Sequence, residues 1–311
     1  MKIMVTGGAG FIGINLVQKL IEENHSVICI DNLCSANINN IQYLNKMSNF
    51  HFIKGDITDK GIFKNLEYVD QIYNLACPAS PPDYQADPIH TLKTCFQGML
   101  NVLEFARECN ACVLQTSTSE VYGNPLVKEQ SEKYFGNVNP NGIRACYDEG
   151  KRVAETLCSD FRRIFKLDVK IARIFNTYGP YMRPNDGRIV SNFINAILNG
   201  TEIVIYGDGR QTRSLCYVSD TVEGLIALMN SCENGPINIG NPYEMTVNDI
   251  AMTIKKIMGS DIDINYTDAL EDDPQKRKPN IELAENILHW HPRISLEEGL
   301  ENTINYYKKI R

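Results

Sequence analysis

The sequence predicts an α/β protein in which a doubly wound parallel sheet is joined to a smaller α/β lobe. Apolar runs of strand length alternate with amphipathic runs of helix length through the first half of the chain. A glycine-rich turn follows the first strand-like run, and from Asn176 onward the elements become short and are broken by Gly and Pro. The alternation is typical of βαβ units around a parallel sheet, and the change after Asn176 indicates a second lobe.

The elements can be placed in order from their periodicity. Strands are predicted at residues 3–6, 26–30, 50–54, 71–75, 112–117 and 169–174, each a short apolar run. Helices are predicted at 11–23, 88–108, 145–165 and, in the second half, 189–198, where apolar residues recur at helical spacing. We therefore expect a sheet domain over residues 1–176 and a smaller lobe over 177–311, with the chain returning to the sheet around 214–240.

Composition and charge exclude several classes of protein. The chain has 311 residues, 43% hydrophobic and 22% charged, which is ordinary for a globular protein. Its 38 acidic residues outnumber its 31 basic ones, so the bulk charge does not favour nucleic acid or an anionic membrane as a partner. The sequence shows neither a membrane-spanning apolar run nor a cleavable leader, and we expect a soluble, cytoplasmic protein.

The ten cysteines are scattered through predicted strands and helices. A chain of this size does not need disulfides to stabilise its core, so reduced thiols are expected. Cys109 and Cys112 form the one close pair, and no second Cys or His pair completes a tetrahedral zinc site around them. We expect no bound metal.

The first strand runs into Thr6-Gly7-Gly8-Ala9-Gly10-Phe11-Ile12-Gly13, which opens the first helix. In a Rossmann-like domain such a turn brings backbone N–H groups and a helix N-terminus to a pyrophosphate. Asp31, at the end of the second strand, is placed to accept hydrogen bonds from an adenosine ribose, and its charge would repel a 2′-phosphate. The pattern predicts a dinucleotide site that takes NAD rather than NADP.

Two further groups follow in the order expected of a redox site. A polar cluster at 116–123 ends the fifth strand, where open α/β sheets place ligands. Tyr147 and Lys151 are four residues apart on a predicted helix and therefore share a face. An ammonium beside a phenol favours the phenolate, so this pair is a candidate base for an alcohol or sugar hydroxyl.

These features together resemble the extended short-chain dehydrogenase/reductase family. The segments 76–84, 117–123, 144–152, 173–177 and 272–279 are further similar to the UDP-glucuronate decarboxylases, or UDP-xylose synthases, of that family. The resemblance implies a cycle in which Tyr147, helped by Lys151 and Thr118, deprotonates the sugar 4-hydroxyl while NAD takes a hydride. Carbon dioxide then leaves the 4-keto sugar, and the hydride returns to give UDP-xylose.

The resemblance also assigns site residues. Glu120 would lie near the reacting ring, and Arg277 would hold the carboxylate or deliver the C5 proton. Cofactor contacts are expected at Gly7, Gly10, Phe11, Ile12, Gly13, Asp31, Asn32, Asp56, Ile57, Leu75, Thr94, Tyr147 and Lys151. Substrate contacts are expected at Ser80, Tyr84, Lys93, Asn176, Arg188, Tyr206, Gln211, Arg213 and Arg277.

The local charge of one segment supports an anionic substrate. Five arginines between positions 173 and 213, namely Arg173, Arg183, Arg188, Arg210 and Arg213, outnumber three acidic residues.

The resemblance implies a homodimer in which helices 88–108 and 145–165 form a four-helix contact. The apolar positions offered for it are Leu92, Phe96, Met99, Leu103, Leu157 and Phe161.

The chain departs from the family pattern in two places. Cys95 follows Lys93-Thr94 where the family usually has Asn, and a thiol cannot make the hydrogen bonds of an amide. Ser35-Ala36 stands where a Thr-Gly pair is common after Asp31.

Three alternative functions stay open. A 4,6-dehydratase needs an acid before Glu120 to protonate the leaving hydroxyl, and Ser119 is a poor proton donor. A 4-epimerase would need neither Glu120 nor Arg277. A catalytically silent NAD-binding regulator would share the fold without the chemistry.

Overall fold

The computed structural model describes residues 1–269 and 276–311, so residues 272–275 of the last family-like segment lie outside the described residues. The strands are β1 Lys2–Thr6, β2 Ser26–Asp31, β3 Phe50–Lys54, β4 Gln71–Asn74, β5 Cys112–Thr118, β6 Val169–Ile174, β7 Thr177–Tyr178, β8 Ile203–Tyr206, β9 Thr212–Ser214, β10 Cys216–Tyr217, β11 Ile237–Ile239, β12 Glu244–Thr246 and β13 Ile264–Thr267. The helices are α1 Phe11–Glu22, α2 Asn39–Gln42, α3 Pro81–Ala86, α4 Pro88–Lys93, α5 Met99–Cys109, α6 Ala145–Phe165, α7 Ile189–Asn199, α8 Val218–Met229, α9 Val247–Met258, α10 Glu282–Leu288 and α11 Leu296–Ile310.

The main sheet confirms the predicted fold class. It has seven strands in the order β11-β6-β5-β4-β1-β2-β3, and every neighbouring pair is parallel. The chain starts in the middle of the sheet, moves outward to β3 and then crosses back through β4 to the other side, which is the order of a doubly wound sheet. A strand that the sequence did not predict, β11, completes the far edge.

Alternating side chains of the strands build two cores, one on each face of the sheet. Ile3 and Val5 of β1 join a cluster with the apolar faces of α1 and α8. Met4, between them, joins a cluster on the opposite face with α5 and α6. Both faces are therefore covered by helices, which explains why the strands read as near-continuous apolar runs.

The helix predicted at 88–108 is divided into three segments. The α4 helix is followed by a π-helical turn, Thr94–Gly98, and then by α5. The turn places Cys95 inward and leaves Phe96 46% exposed. Such π-turns inside α-helices often mark functional sites.

A third core lies in the second half of the chain. Phe193 and Ile194 of α7 pack there with Ile250 of α9 and Leu300 of α11, beside the parallel pair of β8 and β13. The chain returns to the main sheet between these elements, because β11 pairs with β6. The boundary between residues 176 and 177 itself stays a prediction.

Within the described residues, no helix is long and apolar enough to cross a membrane, and no group of three or more His, Cys, Asp or Glu residues is arranged to hold a metal ion. All ten cysteines have free thiols. Cys109 ends α5 and Cys112 begins β5.

Candidate active site

A cavity of about 580 Å³ opens where the carboxyl ends of β1, β4, β5 and β6 meet the second half of the chain. This is the place where open α/β sheets bind ligands. All of the predicted catalytic and cofactor residues line the cavity, and so do the predicted substrate residues Ser80, Tyr84, Asn176, Arg188, Tyr206, Gln211, Arg213 and Arg277.

Lys93 is the exception among the predicted substrate residues. It is the last residue of α4, its side chain is exposed, and it does not line the cavity. Because Thr91 and Thr94 occupy the buried face of the same segment, the helix turns Lys93 toward solvent. The structure does not bring Lys93 to the site.

The turn between β1 and α1 fits a dinucleotide pyrophosphate. Gly7 has a φ of +70°, and a Cβ on Gly13 would lie 2.1 Å from the Gly7 carbonyl oxygen, so neither position accepts a larger residue without a shift. Within the described part of the chain, no side chain caps α1, whose N-cap is Gly10. The helix N-terminus therefore presents backbone N–H groups and a positive dipole end to the cavity.

Asp31 is held at the end of β2 by the turn itself. Its Oδ2 atom accepts a hydrogen bond from the Ala9 N–H at 3.1 Å, and its Oδ1 atom accepts one from the Leu33 N–H at 2.8 Å. Burial raises the pKa of the Asp31 carboxyl, and these backbone hydrogen bonds oppose the rise. The carboxylate is fixed at the cavity edge expected for a ribose.

Tyr147, Lys151 and Thr118 lie together at the end of β5 and the start of α6. Lys151 donates to the Thr116 carbonyl at 2.9 Å, and its Nζ atom is 5.7 Å from the centre of the Tyr147 ring. The Thr118 side chain lies close enough to act on the Tyr147 phenol and lowers its pKa. The sequence argument expected the ammonium to favour the phenolate. Burial is the larger effect here and raises the pKa of Tyr147 well above its ordinary value.

Glu120 is held between two arginines. Its Oε2 atom accepts from Arg144 Nη2 at 2.5 Å and from Arg277 Nη2 at 3.0 Å. Although burial opposes ionisation, Arg277 and Arg144 together lower the pKa of Glu120 to about 2. Glu120 is therefore an anion at neutral pH.

Arg277 reaches the cavity because its segment is fixed to the loop before α6. The Gln130 N–H donates to the Lys278 carbonyl at 2.9 Å, and the Lys278 N–H donates to Gln130 Oε1 at 2.9 Å. Arg277 also donates to the Gly123 carbonyl at 2.6 Å and is only 2% exposed. A buried guanidinium at the cavity wall has the chemistry to bind a carboxylate.

Arg144 is a site residue to which the sequence analysis gave no role. It occupies the N-cap position of α6 and lines the cavity. A cation at a helix N-terminus opposes the helix dipole, and that unfavourable placement is the signal that could have identified it.

The local excess of arginine divides into two groups. Arg183, Arg188 and Arg213 line the cavity. Arg173 instead pairs with Glu155 of α6 at 2.7 Å. The Arg210 side chain is 87% exposed. Neither Arg173 nor Arg210 lines the cavity.

Comparison with known proteins places the chain in a family. A profile described as "NAD dependent epimerase/dehydratase family" matches residues 3–240. UDP-glucuronic acid decarboxylase 1 of Xenopus tropicalis is 49% identical over 308 residues, covering 99% of this chain and 72% of that protein. UDP-glucuronic acid decarboxylase 6 of Arabidopsis thaliana is 50% identical over 301 residues, covering 96% of this chain and 87% of that protein.

Two solved structures share the whole architecture. UDP-glucose 4-epimerase of Thermotoga maritima, with UDP-glucose, superposes with a TM-score of 0.93 at 31% identity, covering 100% of this chain and 99% of that one. UDP-glucuronic acid 4-epimerase of Bacillus cereus, in complex with UDP-glucuronic acid and NAD, superposes with a TM-score of 0.90 at 30% identity over 100% of both chains.

Proposed function

This chain belongs to the NAD dependent epimerase/dehydratase family, and we infer that within it the chain decarboxylates UDP-glucuronate to UDP-xylose. The reaction uses NAD and releases carbon dioxide, with no net redox change. Full-length similarity to UDP-glucuronic acid decarboxylases supports this function. The structural observation that carries it is the buried Arg277, held by Glu120 in the cavity wall.

The chain's own residues suit the separate parts of this chemistry. NAD, when bound, supplies a hydride acceptor for C4 and, in its oxidised form, a positive charge that favours a nearby phenolate; the glycine turn and Asp31 would hold it. Tyr147, with Thr118 close to its phenol, takes the proton of the sugar 4-hydroxyl. A 4-ketone lies β to the sugar carboxylate, so the electrons of the breaking C–C bond pass into an enolate.

Arg277 then has two tasks in the proposal. Its planar guanidinium binds the sugar carboxylate before carbon dioxide leaves, and it afterwards lies beside the C5 carbon that must gain a proton. Arg188 and Arg213, which also line the cavity, bind the diphosphate. One proton is consumed at C5 for each carbon dioxide released.

The two enzymatic alternatives fit the site less well. A 4,6-dehydratase needs a proton donor at position 119, where Ser119 is 2% exposed and donates to Glu120 at 3.4 Å. A 4-epimerase must let the keto sugar turn over without losing its carboxylate, and one that acts on a neutral UDP-hexose has no need for a buried arginine in the cavity wall. The decarboxylase and the epimerase can be distinguished by the products that they form from UDP-glucuronate.

The test is incubation of the purified protein with NAD and UDP-glucuronate labelled with ¹³C at C6. We expect labelled carbon dioxide and unlabelled UDP-xylose in equal amounts by mass spectrometry. Formation of UDP-galacturonate with the label retained would instead show an epimerase. The absence of any product, with the cofactor bound, would favour the silent regulator.

We also propose a homodimer, since apolar side chains remain exposed on one face of α4, the π-turn and α6. Ile89 is 65% exposed, Leu92 41%, Phe96 46% and Val153 37%. Three positions offered for this contact, Met99, Leu103 and Phe161, are instead buried in the core under the sheet. A second copy of the same face would bury the exposed set by two-fold symmetry.

The dimer is tested by light scattering of the wild type and of Leu92→Arg. We expect the wild type to have twice the chain mass at micromolar concentration and the variant to shift toward the monomer. A wild-type monomer would refute the dimer.

We further propose a cytoplasmic location, since the ten free thiols would stay reduced there.

A further inference from the structure

Two cysteine thiols touch each other beside the cavity, and the proposed reaction uses neither. The Sγ atoms of Cys77 and Cys95 are 3.4 Å apart, although the residues are 18 positions apart in sequence. Cys77 follows β4 and lines the cavity. Cys95 lies on the π-turn beneath it and is 4% exposed. One sulfur is therefore reached from the cavity, and the other lies directly behind it.

The surroundings of the pair favour a thiolate on Cys95, whereas the hydrogen bond to Cys95 and burial raise the pKa of Cys77. The hydrogen bond from Cys77 lowers the pKa of Cys95, burial opposes this, and the charge of Lys151 lowers it further. A thiolate is the form that reacts with oxidants and with sulfur electrophiles. The pair also lies next to Tyr147, since both sulfurs influence the pKa of its phenol.

We propose that a peroxide oxidises Cys77 and Cys95 to a reversible disulfide and that this disulfide inactivates the enzyme. Closing the bond shortens the Sγ–Sγ distance from 3.4 Å to about 2.05 Å. A movement of this size fits a small shift of the chain after β4 or of the π-turn.

The chemistry balances with hydrogen peroxide as the oxidant. The Cys95 thiolate takes the proton of Cys77 as the Cys77 sulfur attacks one peroxide oxygen and the O–O bond breaks. Cys77 becomes a sulfenic acid, and the departing hydroxide takes that proton from Cys95 and leaves as water. The Cys95 sulfur then attacks the sulfenic sulfur, breaks the S–O bond and releases a second water. Two thiols lose two electrons and two protons, and the peroxide becomes two waters.

The position of the pair explains why the bond would stop turnover. Cys77 lies two residues after Leu75, whose backbone carbon would be only 2.7 Å from a Cβ placed on Gly7 of the dinucleotide turn. Cys95 in turn packs against α6, since its Sγ would be 3.0 Å from a Cβ on Gly150, next to Lys151. Drawing these two segments together by about 1 Å displaces both sides of the reaction site, and a misplacement of that size costs up to about 100-fold in rate.

The experiment treats the complete protein, with NAD bound, with hydrogen peroxide and follows two readouts. Peptide mapping by mass spectrometry is expected to find a Cys77–Cys95 cross-link with the loss of two hydrogen atoms. Decarboxylation is expected to fall by about tenfold or more, and dithiothreitol is expected to restore it. The cross-link is measured without any assay of activity, so a failure of this proposal is distinguishable from a failure of the proposed function.

Variants separate this pair from the other thiols. Cys95→Ser and, independently, Cys77→Ser should remove both the cross-link and the reversible loss, each judged against its own untreated rate. Cys34→Ser, which removes an exposed thiol that also lines the cavity, and Cys146→Ser should keep the wild-type response. The proposal is overturned if Cys34 is oxidised while no cross-link forms, if the cross-linked protein turns over normally, or if Cys95→Ser loses activity like the wild type.

Discussion

The Nη2 atom of Arg277 lies 3.0 Å from the Oε2 atom of Glu120, and the same oxygen accepts a second hydrogen bond from Arg144. Arg213 is close enough to lower the pKa of Glu120 as well. Two guanidinium groups therefore contact the Glu120 carboxylate, and the charge of a third acts on it in a largely buried place. A substrate that brings its own carboxylate would balance this excess of positive charge.

The same arrangement limits what Glu120 can do. Because its pKa is about 2, it carries no proton to donate at neutral pH. Its physical role is to hold the Arg277 guanidinium in one orientation through a charge-assisted hydrogen bond. C5 protonation must then come from a group other than Glu120 while this pairing lasts.

Tyr147→Phe is expected to lower kcat by about 10²–10⁴-fold, the usual contribution of a general acid or base. The ring should stay in place because it stacks on Tyr84, with ring centres 5.0 Å apart, so affinity for NAD and UDP should change little. Steady-state kinetics and calorimetry check both parts. Tyr243→Phe, which removes a hydroxyl from a residue that is 79% exposed, is the matched control and should keep its rate. Retention of more than about a tenth of kcat in the Tyr147 variant would contradict the assignment.

Local patterns were sufficient to predict six of the seven strands of the main sheet and the cofactor turn. Strand and helix periods, and a glycine turn after β1, are properties of short segments. The contact between Glu120 and Arg277 joins residues 157 positions apart, and only the family resemblance brought them together. The pairing of Arg173 with Glu155 likewise depends on the packing of α6 against β6, so a count of charges does not show that Arg173 already has a partner within the protein.

The π-turn shows a second limit of sequence reasoning. The apolar periodicity of residues 88–108 predicts one regular helix, whereas the wider turn at Thr94–Gly98 changes which side chains face inward. Cys95 therefore meets Cys77 across the segment boundary. No pattern within either segment carries this information.

The stripped protein is expected to bind NAD at least about tenfold more tightly than NADP, a difference of about 1.4 kcal/mol. The reason is the Asp31 carboxylate, which the Ala9 and Leu33 N–H groups fix at the cavity edge and which a 2′-phosphate would have to approach. Titration calorimetry with both cofactors measures the preference. Asp31→Asn should reduce it, and equal or tighter binding of NADP by the wild type would refute this role.

Asp148 is expected to make stability depend on pH below neutrality. Burial, followed by the charge of Glu120, raises the pKa of Asp148 from 3.8 to about 7. A carboxyl with a raised pKa binds its proton more tightly in the folded state, so its contribution to stability is complete below pH 3.8 and is lost as pH rises through about 7. The Tm of the wild type should therefore fall between about pH 4 and pH 7 relative to Asp148→Asn and change little above pH 7. Parallel Tm curves for the two proteins would show that Asp148 does not titrate in this range.

Arg277→Ala is expected to abolish UDP-xylose formation and to weaken UDP-glucuronate binding more than UDP-glucose binding. The two ligands differ at C6, where only UDP-glucuronate has a carboxylate for the guanidinium to hold. Calorimetry gives both dissociation constants, and NADH absorbance in a single turnover shows whether oxidation at C4 still occurs. We expect NADH to form while carbon dioxide release is lost, because the proposed function assigns the oxidation step to Tyr147 and not to Arg277.

Arg144→Ala is the matched comparison, since Arg144 and Arg277 donate to the same oxygen of Glu120. If Arg277 acted only by neutralising Glu120, the two variants would lose UDP-glucuronate affinity alike, and UDP-glucose affinity would follow. If Arg277 binds the sugar carboxylate, the selective loss appears in Arg277→Ala and is smaller in Arg144→Ala. Equal losses for both ligands in Arg277→Ala, with decarboxylation unimpaired at saturation, would instead assign Arg277 to the diphosphate, because a diphosphate contact is the same in UDP-glucuronate and UDP-glucose.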